Sequence, residues 1–254
     1  MIQTKAKLIS NSRVKENYWH AVLNAPQIAK AASSGQFINI KVSDAVEPLL
    51  RRPLSIHRCR GSKLEILYAV IGPGTKILSR RKPGELLDVI GPLGTGFNVD
   101  SKKSRAILVA GGMGVAPLLF LAEILKKKDT RILVGAKTKS QILCEKEFVD
   151  AGCGVTIATD DGSCGFKGYV SQLLLQELKT HNAKFTTIYA CGPKPMLKEI
   201  SRIAQARKIP AQVSLEEHMA CGIGACLGCV VNTTQGYKRV CKEGPVFEAK
   251  EIIW

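Results

Sequence analysis

Four cysteines, Cys221, Cys226, Cys229 and Cys241, follow one another as C-x4-C-x2-C-x11-C, the first three inside the run EEHMACGIGACLGCVV. Thiolates are soft ligands for zinc or iron, and spacing separates the two. Structural zinc sites usually take their ligands as two short C-x2-4-C pairs divided by a longer spacer. Three thiols crowded into one loop, with the fourth arriving from a later segment, is instead the plant-type spacing of a [2Fe–2S] cluster. On spacing alone, zinc and unligated thiols stay open as alternatives. Small residues fill the loop (Gly222, Gly224, Ala225 and Gly228). They let the backbone wrap an inorganic core and aim N–H groups at its sulfurs. A one-electron carrier on an enzyme-like chain implies electron transfer, and the remaining motifs must supply its other end.

Gly111-Gly112-Met113-Gly114-Val115-Ala116-Pro117 follows the apolar run AILVA and opens a helical pattern. Glycines at such a turn let a backbone approach a pyrophosphate at the positive end of the helix. The run departs from G-x-G-x-x-G/A, because counting from Gly112 the last position falls on Pro117. The acid expected on the ribose about 20 residues on is also missing, since the second strand ends in Ala136-Lys137. Cys191-Gly192-Pro193-Lys194-Pro195-Met196 closes the last strand of the same pattern, where ligands of open α/β sheets bind. Cys191 itself reads equally as a buried core thiol. Upstream, Arg51-Arg52-Pro53-Leu54-Ser55 offers a guanidinium fork for a phosphate and a hydroxyl for a ring nitrogen. Gly72-Pro73-Gly74-Thr75 either adds N–H and hydroxyl contacts to that phosphate or is a plain turn.

These motifs need elements to hold them. Residues 1–99 read as short strands, among them 36–42, 64–70 and 85–90, divided by PG, GS and GP turns. A short helical stretch covers Thr75–Arg81. Strands at this spacing predict a small antiparallel barrel. From residue 104 the texture changes: RAILVAGG, RILVGAK, VTIATDD and TTIYACG alternate with helical stretches such as GVAPLLFLAEILKKK and YVSQLLLQELK. That alternation predicts a doubly wound parallel sheet. The cysteine-bearing segment follows. The expected architecture is a multi-domain β plus α/β chain divided as 1–99, 100–210 and 211–254.

Composition bounds the function. The 254 residues are 45% hydrophobic and 23% charged, ordinary values for a folded soluble chain. No apolar run reaches the ~18–20 residues of a bilayer span, and Leu118–Leu125 is interrupted by Glu123. MIQTKAKLISNSRV lacks the apolar core of a secretory signal. Nine cysteines without a signal point to a reducing compartment, where thiols serve metals rather than disulfides; a cytoplasmic location is expected. The net charge of +16 suits nucleic acid, an acidic partner or anionic cofactors. The basic clumps at Arg80–Lys82, Lys102–Arg105 and Lys126–Lys128 are short and lack interleaved aromatics. The last ends a helical pattern, where lysines complement the dipole. Solvated faces are therefore expected, and no nucleic-acid surface.

Together, R-P-L-S in a barrel, GPLGTGF (91–97), GGMGVAP, CGPKPM and the cysteine motif resemble the ferredoxin-reductase-like flavoproteins, over essentially the whole chain and in the same order. SLEEHMACGIGACLGC and VCKEGPVF narrow the resemblance to electron-transfer subunits of B-type, NAD-dependent dihydroorotate dehydrogenases. The resemblance implies FAD on Arg52, Pro53, Leu54 and Ser55, with Leu67, Tyr68, Ala69, Gly74 and Thr75 completing the site. It implies NAD(H) on Gly111, Gly112, Gly114 and Pro117, with Cys191 and Gly192 near the nicotinamide, and a [2Fe–2S] cluster on Cys221, Cys226, Cys229 and Cys241. It further implies a separate FMN-containing catalytic subunit that oxidises dihydroorotate to orotate in pyrimidine biosynthesis. Two copies of each chain would form a heterotetramer, with electrons running from FMN through the cluster and FAD to NAD+. The partner would meet the C-terminal segment.

The electron arithmetic agrees with a flavin, because a nicotinamide carries two electrons as hydride and the cluster carries one. Lys137 and Lys139 depart from the pattern, since basic residues after the second strand suit a 2′-phosphate. The nearest alternative is the same module serving a hydrogenase, sulfite reductase or transhydrogenase complex; the remote one is a basic zinc-binding nucleic-acid protein. His57 and His218 are expected in structural or surface roles, and Asp160-Asp161-Gly162-Ser163 as a capped turn. Cys59, Cys144, Cys153 and Cys164 are expected as buried small residues.

Overall fold

A computed structural model describes residues 1–99, 104–126, 129–179 and 186–254. The basic clumps at Lys102–Arg105 and Lys126–Lys128 lie partly outside the described residues. The first seven strands are β1 (Ile2–Lys15), β2 (Tyr18–Asn24), β3 (Phe37–Lys41), β4 (Arg52–Ser55), β5 (Arg58–Arg60), β6 (Lys63–Ala69) and β7 (Leu86–Leu93). They form one sheet in the order β4-β3-β7-β1-β2-β6-β5, antiparallel at every pairing. Inward and outward positions alternate along β1 and β7, as a half-solvated antiparallel sheet requires. The inward set (Leu8, Ala21, Leu23, Ile38, Ile40, Ile66, Val89) fills the barrel. Register shifts in β1 at Leu8/Ser10 and Arg13/Lys15 bend this long strand, so the sheet curls. The expected strands appear as β3, β6 and β7. Two short helices, α1 (Pro26–Ala31) and α2 (Pro73–Ser79), lie between strands, and α2 is the stretch expected near Thr75.

The second sheet contains β8 (Arg105–Gly111), β9 (Asp129–Ala136), β10 (Gly154–Thr159), β11 (Phe166–Lys167), β12 (Thr186–Cys191) and β13 (Ala211–Ser214). Helices α3 (Val115–Ile124), α4 (Glu145–Asp150), α5 (Val170–Glu177) and α6 (Lys194–Ala206) connect these strands. A small hairpin, β14 (Val230–Thr233) with β15 (Gly236–Arg239), precedes β16 (Val246–Glu248). The sheet order is β11-β10-β9-β8-β12-β13-β16, parallel except that β16 runs antiparallel to β13. Strands β8 and β12 are buried at every residue, as central parallel strands covered on both faces must be. Helix α3 is buried around most of its circumference, because barrel and sheet both press on it.

The boundary expected after residue 210 falls immediately before β13, and the chain returns from the cysteine segment to add β16 to the same sheet. Burial explains this: Ala211–Ser214 is covered throughout and takes Val246–Glu248 as its edge partner. The cysteine segment therefore grows from the sheet's edge while leaning on the barrel. Phe37 and Leu93 of the barrel share a core with Cys229, Val240, Cys241 and Phe247.

Candidate functional site

The chain passes from β8 outward through β9 and β10, then returns to β12 on the other side of β8. The strand order reverses between β8 and β12, and ligands of open α/β sheets bind in the crevice at that point. Gly111 ends β8, a turn of 3-10 helix covers Gly112–Gly114, and α3 begins at Val115. Cys191 ends β12 opposite Ala110. A side chain at Gly114 would collide with the Cys191 carbonyl, and one at Gly192 would lie 3.0 Å from the Gly111 α-carbon. Gly112 has φ +52, with open space where a side chain would stand, which is the cradle a phosphate group needs. Gly111, Gly114, Cys191 and Gly192 are thus brought together. Pro117 is buried in the first turn of α3, and the Cys191 thiol is 2% exposed. Burial pushes that thiol's pKa up, Glu216 adds to the shift and a bond with Ser214 opposes it, so the group stays neutral.

At the end of β9, Lys137 and Lys139 are exposed. The N–H groups of Asp160 and Asp161 donate to the Ala136 and Lys137 carbonyls at 3.0 and 3.3 Å. Two acids from the end of β10 therefore stand beside the lysines, although β9 supplies none. Asp161 accepts from Ser163 N–H at 2.9 Å and Oγ at 2.6 Å, the capped turn expected.

On the barrel, β4 is the edge strand carrying Arg52, Pro53, Leu54 and Ser55, all half-buried. Arg51 pairs with Asp88 at 2.8 Å. Arg52 has no carboxylate partner among the described residues; its guanidinium bonds the Leu50 and Arg51 carbonyls and fills the space a side chain would take at Gly74. A phosphate oxygen fits a guanidinium so placed. Thr75 is less available: its Oγ accepts from the Ile71 and Gly72 N–H groups at 3.0 and 3.3 Å. Tyr68 points into the barrel core and donates to Asn11 Oδ1 at 2.9 Å, leaving its backbone as the part a ligand can meet. Leu67 packs with α3, and Ala69 ends β6 half-exposed.

The four thiols form two neighbouring sets. Cys221 Sγ accepts N–H groups from Ile223, Ala225 and Cys226 at 3.5, 3.3 and 3.4 Å. Burial would raise its pKa, but the Ile223 and Cys226 N–H groups, the Cys226 thiol and the Ala225 N–H outweigh this and lower it to about 6. The β14–β15 hairpin returns the chain so that Cys241 N–H donates to Cys229 Sγ at 3.4 Å. Burial, with the Cys229 thiol beside it, pushes the Cys241 thiol up to about 12. Cys229 and Cys241 are buried, Cys221 half-buried and Cys226 exposed. Arg239 ties the two sets together, donating to the Gly224 carbonyl at 2.7 Å and pairing with Glu243. Four soft donors, two by two, with N–H groups aimed at sulfur, fit a [2Fe–2S] cluster.

His57, 4% exposed, takes the structural role expected, sharing a hydrogen bond between Nδ1 and the Ala116 carbonyl at 2.8 Å. Sequence reasoning missed one support, Asn39, which touches the cysteine loop. His218 is exposed. Cys153 is buried as expected, whereas Cys59, Cys144 and Cys164 are only half-buried, because each lies at the rim of its core rather than inside it.

Known proteins agree with this layout. Residues 216–253 match the iron-sulfur cluster binding domain of dihydroorotate dehydrogenase B, and residues 108–202 match the oxidoreductase NAD-binding domain. The dihydroorotate dehydrogenase B (NAD(+)) electron transfer subunit of Desulforamulus reducens is 42% identical, covering 98% of this chain and 97% of the relative. The subunit of the same name from Geobacillus sp. (strain WCH70) is 40% identical, covering 100% and 99%. Among solved structures, that of an NADH-dependent reduced ferredoxin-NADP oxidoreductase superposes with a TM-score of 0.88 at 28% identity, covering 99% of this chain and 90% of that one. A ferredoxin NADP+ reductase from Neisseria gonorrhoeae, with bound FAD and NADP, shares the fold at a TM-score of 0.69 and 15% identity, covering 81% and 91%. With full-length identity at this level and the cysteine segment matched on its own, the chain belongs to the family of dihydroorotate dehydrogenase B (NAD(+)) electron transfer subunits.

Proposed function

We propose that this chain passes electrons from a partner subunit that oxidises dihydroorotate, through a [2Fe–2S] cluster and FAD, to NAD+. The observation that carries the reading is the barrel's place between the two ends. Leu67 of β6 packs with the sheet and α3 beside the glycine turn, while Phe37 of β3 packs with Cys229 and Cys241. When bound, the flavin exchanges hydride with the nicotinamide and single electrons with the cluster. The chain's own groups bind and orient. Arg52 would hold the FAD pyrophosphate, with Pro53, Leu54, Ser55, the backbone of Leu67–Ala69, Gly74 and Thr75 lining the rest. Gly111, Gly112, Gly114 and Pro117 would receive NAD(H), with Cys191 and Gly192 near the nicotinamide. Cys221, Cys226, Cys229 and Cys241 would hold the iron. The buried, neutral Cys191 thiol adds no charge to the crevice and needs no proton-transfer role. Asp160 and Asp161, held beside Lys137 by backbone bonds, offset the positive charge that would suit a 2′-phosphate, and we take the dinucleotide to be NAD. We assign these tasks to a flavin barrel (1–99), a nucleotide sheet (100–210) and a cluster segment (211–254).

The partner is a catalytic subunit that we take to carry FMN, in a heterotetramer of two copies of each chain. It would dock around the exposed Cys226, where Ile223, Leu227, Val230 and Tyr237 leave large apolar surface in solvent; exposed apolar surface of this kind marks association sites. Among the described residues no helix is long and apolar enough to cross a membrane. The test is an anaerobic pull-down from the native cell extract, assayed for dihydroorotate-dependent NAD+ reduction. Activity is the expected result. NADH–dye activity with no response to dihydroorotate would move the module to another redox complex.

A further inference from the structure

Strand β3 reads Phe37-Ile38-Asn39-Ile40-Lys41. Ile38 and Ile40 fill the barrel, whereas Phe37 faces outward into the core shared with the cysteine segment. Asn39 alternates with the isoleucines and so shares the outer face. It is 1% exposed, Nδ2 donates to the Cys221 carbonyl at 3.3 Å, and Oδ1 has no hydrogen-bond partner among the described residues. A buried acceptor left without a partner loses its hydration and gains no bond in exchange. An apolar residue would stabilise this strand better, so the amide is explained by what it touches.

On one side it touches the loop assigned to iron. Gly222 has φ +68, and a side chain there would collide with the Asn39 amide, so loop and amide fit closely. On the other side lies the strand assigned to flavin. Asn39 stands opposite Pro53, and Phe37 opposite Ser55, in the β3–β4 ladder. Directly opposed residues project from the same face. Asn39, Pro53 and Ser55 therefore share the outer face of the barrel's edge, and Asn39 joins that face to the peptide of Cys221. The same peptide leads into the Ile223, Ala225 and Cys226 N–H groups aimed at Cys221 Sγ.

Resting on the function proposed above, we propose that Asn39 is a positioning residue: its amide fixes the Cys221 loop on the flavin-bearing strand and so sets electron passage between cluster and flavin. The loop has a separate anchor at its far end. Thr95 N–H donates to the Gly244 carbonyl at 2.6 Å and Thr95 Oγ to the Lys242 carbonyl at 3.3 Å. Asn39 variants accordingly keep the segment attached.

The test uses the purified chain reconstituted with FAD, iron and sulfide and reduced by NADH in an anaerobic stopped flow. Flavin bleaching and cluster reduction are followed separately, and the reduced cluster's EPR spectrum is recorded. Asn39→Asp keeps the volume and removes the donor; Asn39→Leu removes both polar atoms. Both should slow cluster reduction about ten-fold relative to flavin reduction in the same trace, the scale of a small misplacement of reacting groups, and both should shift the cluster g-values. Parental rates and g-values in both variants would overturn the proposal. A slow Asn39→Leu beside a parental Asn39→Asp would overturn it too, because packing alone would then suffice. A parent chain that took up no flavin or no iron would overturn the underlying function, and the proposal with it.

Discussion

Arg51 and Arg52 are neighbours that the fold uses differently. Arg51 gives its guanidinium to Asp88, through the carboxylate at 2.8 Å and the backbone carbonyl at 3.0 Å. Arg52 lies against Gly74 with its charge unmatched by any carboxylate among the described residues. Arg52→Ala should therefore release FAD, losing a charge-assisted contact of about 1.5–3 kcal/mol, while Arg51→Ala retains it. Flavin absorbance after gel filtration reads the difference, and equal retention in both would remove Arg52 from the site. The thiols sort in the same way. Cys226 is the exposed ligand candidate, so Cys226→Ser should leave flavin bound, lower the iron content and stop electron delivery from the partner. Normal coupled turnover in that variant would sink the assigned path.

At the scale of elements, α3 is pinned to the barrel by a polar set. Its Ala116 carbonyl meets His57, and its Glu123 accepts from Arg60 at 3.1 Å and forms an ion pair with Arg58 at 2.9 Å. Glu65 links His20 at 2.9 Å and Arg58 at 3.9 Å behind them. Burial lowers the His57 pKa from 6.5 to about 4; the Ala116 bond opposes this, His20 and Arg58 add to it, and Glu65 opposes it. The folded pKa lies below the unfolded one, so the unfolded chain binds the proton first. This contribution to stability is complete above pH 6.5 and is lost as pH falls through about 4. The difference amounts to about 3 kcal/mol. His57→Asn, which keeps a donor but does not titrate, should flatten that part of the slope in urea melts taken across the window; an unchanged slope would show that His57 does not couple to folding. None of this was legible in the sequence, because His57 and Ala116 are distant in the chain and only the fold joins them. The cysteine set was legible because its spacing is local, and β8 and β12 because strands buried on both faces read as unbroken apolar runs. Helices α1 and α4 were not, since six residues are too few to display a period. Asn39 left one signal, a polar residue inside the apolar run FINI, whose meaning depends on a loop far along the chain.

For the whole molecule the excess of 37 basic over 21 acidic residues has to act somewhere. Many of the acids are already matched internally: Asp88, Glu65, Glu123, Glu177, Glu199, Glu243 and Glu251 all stand in ion pairs. The surplus leaves the chain with a net charge of +16 and hence a positive field. Beside the cysteines the balance is closer to neutral, with Lys238 paired to Glu251 at 2.9 Å and Arg239 paired to Glu243. The apolar rim near Cys226 would then provide contact, and the global charge would bring an acidic partner towards it. Raising salt from about 0.05 to about 0.5 M shortens the screening length severalfold and should cut the association rate with the catalytic subunit about ten-fold. Dissociation should change much less. Lys242→Gln removes one charge near the loop out of a net +16 and should leave that salt dependence almost intact. Stopped-flow association at several ionic strengths, for the parent and Lys242→Gln, separates the cases. A salt dependence abolished by this one substitution would put the steering charge at the cluster face. A rate indifferent to salt in the parent would mean that the charge does not act on this partner.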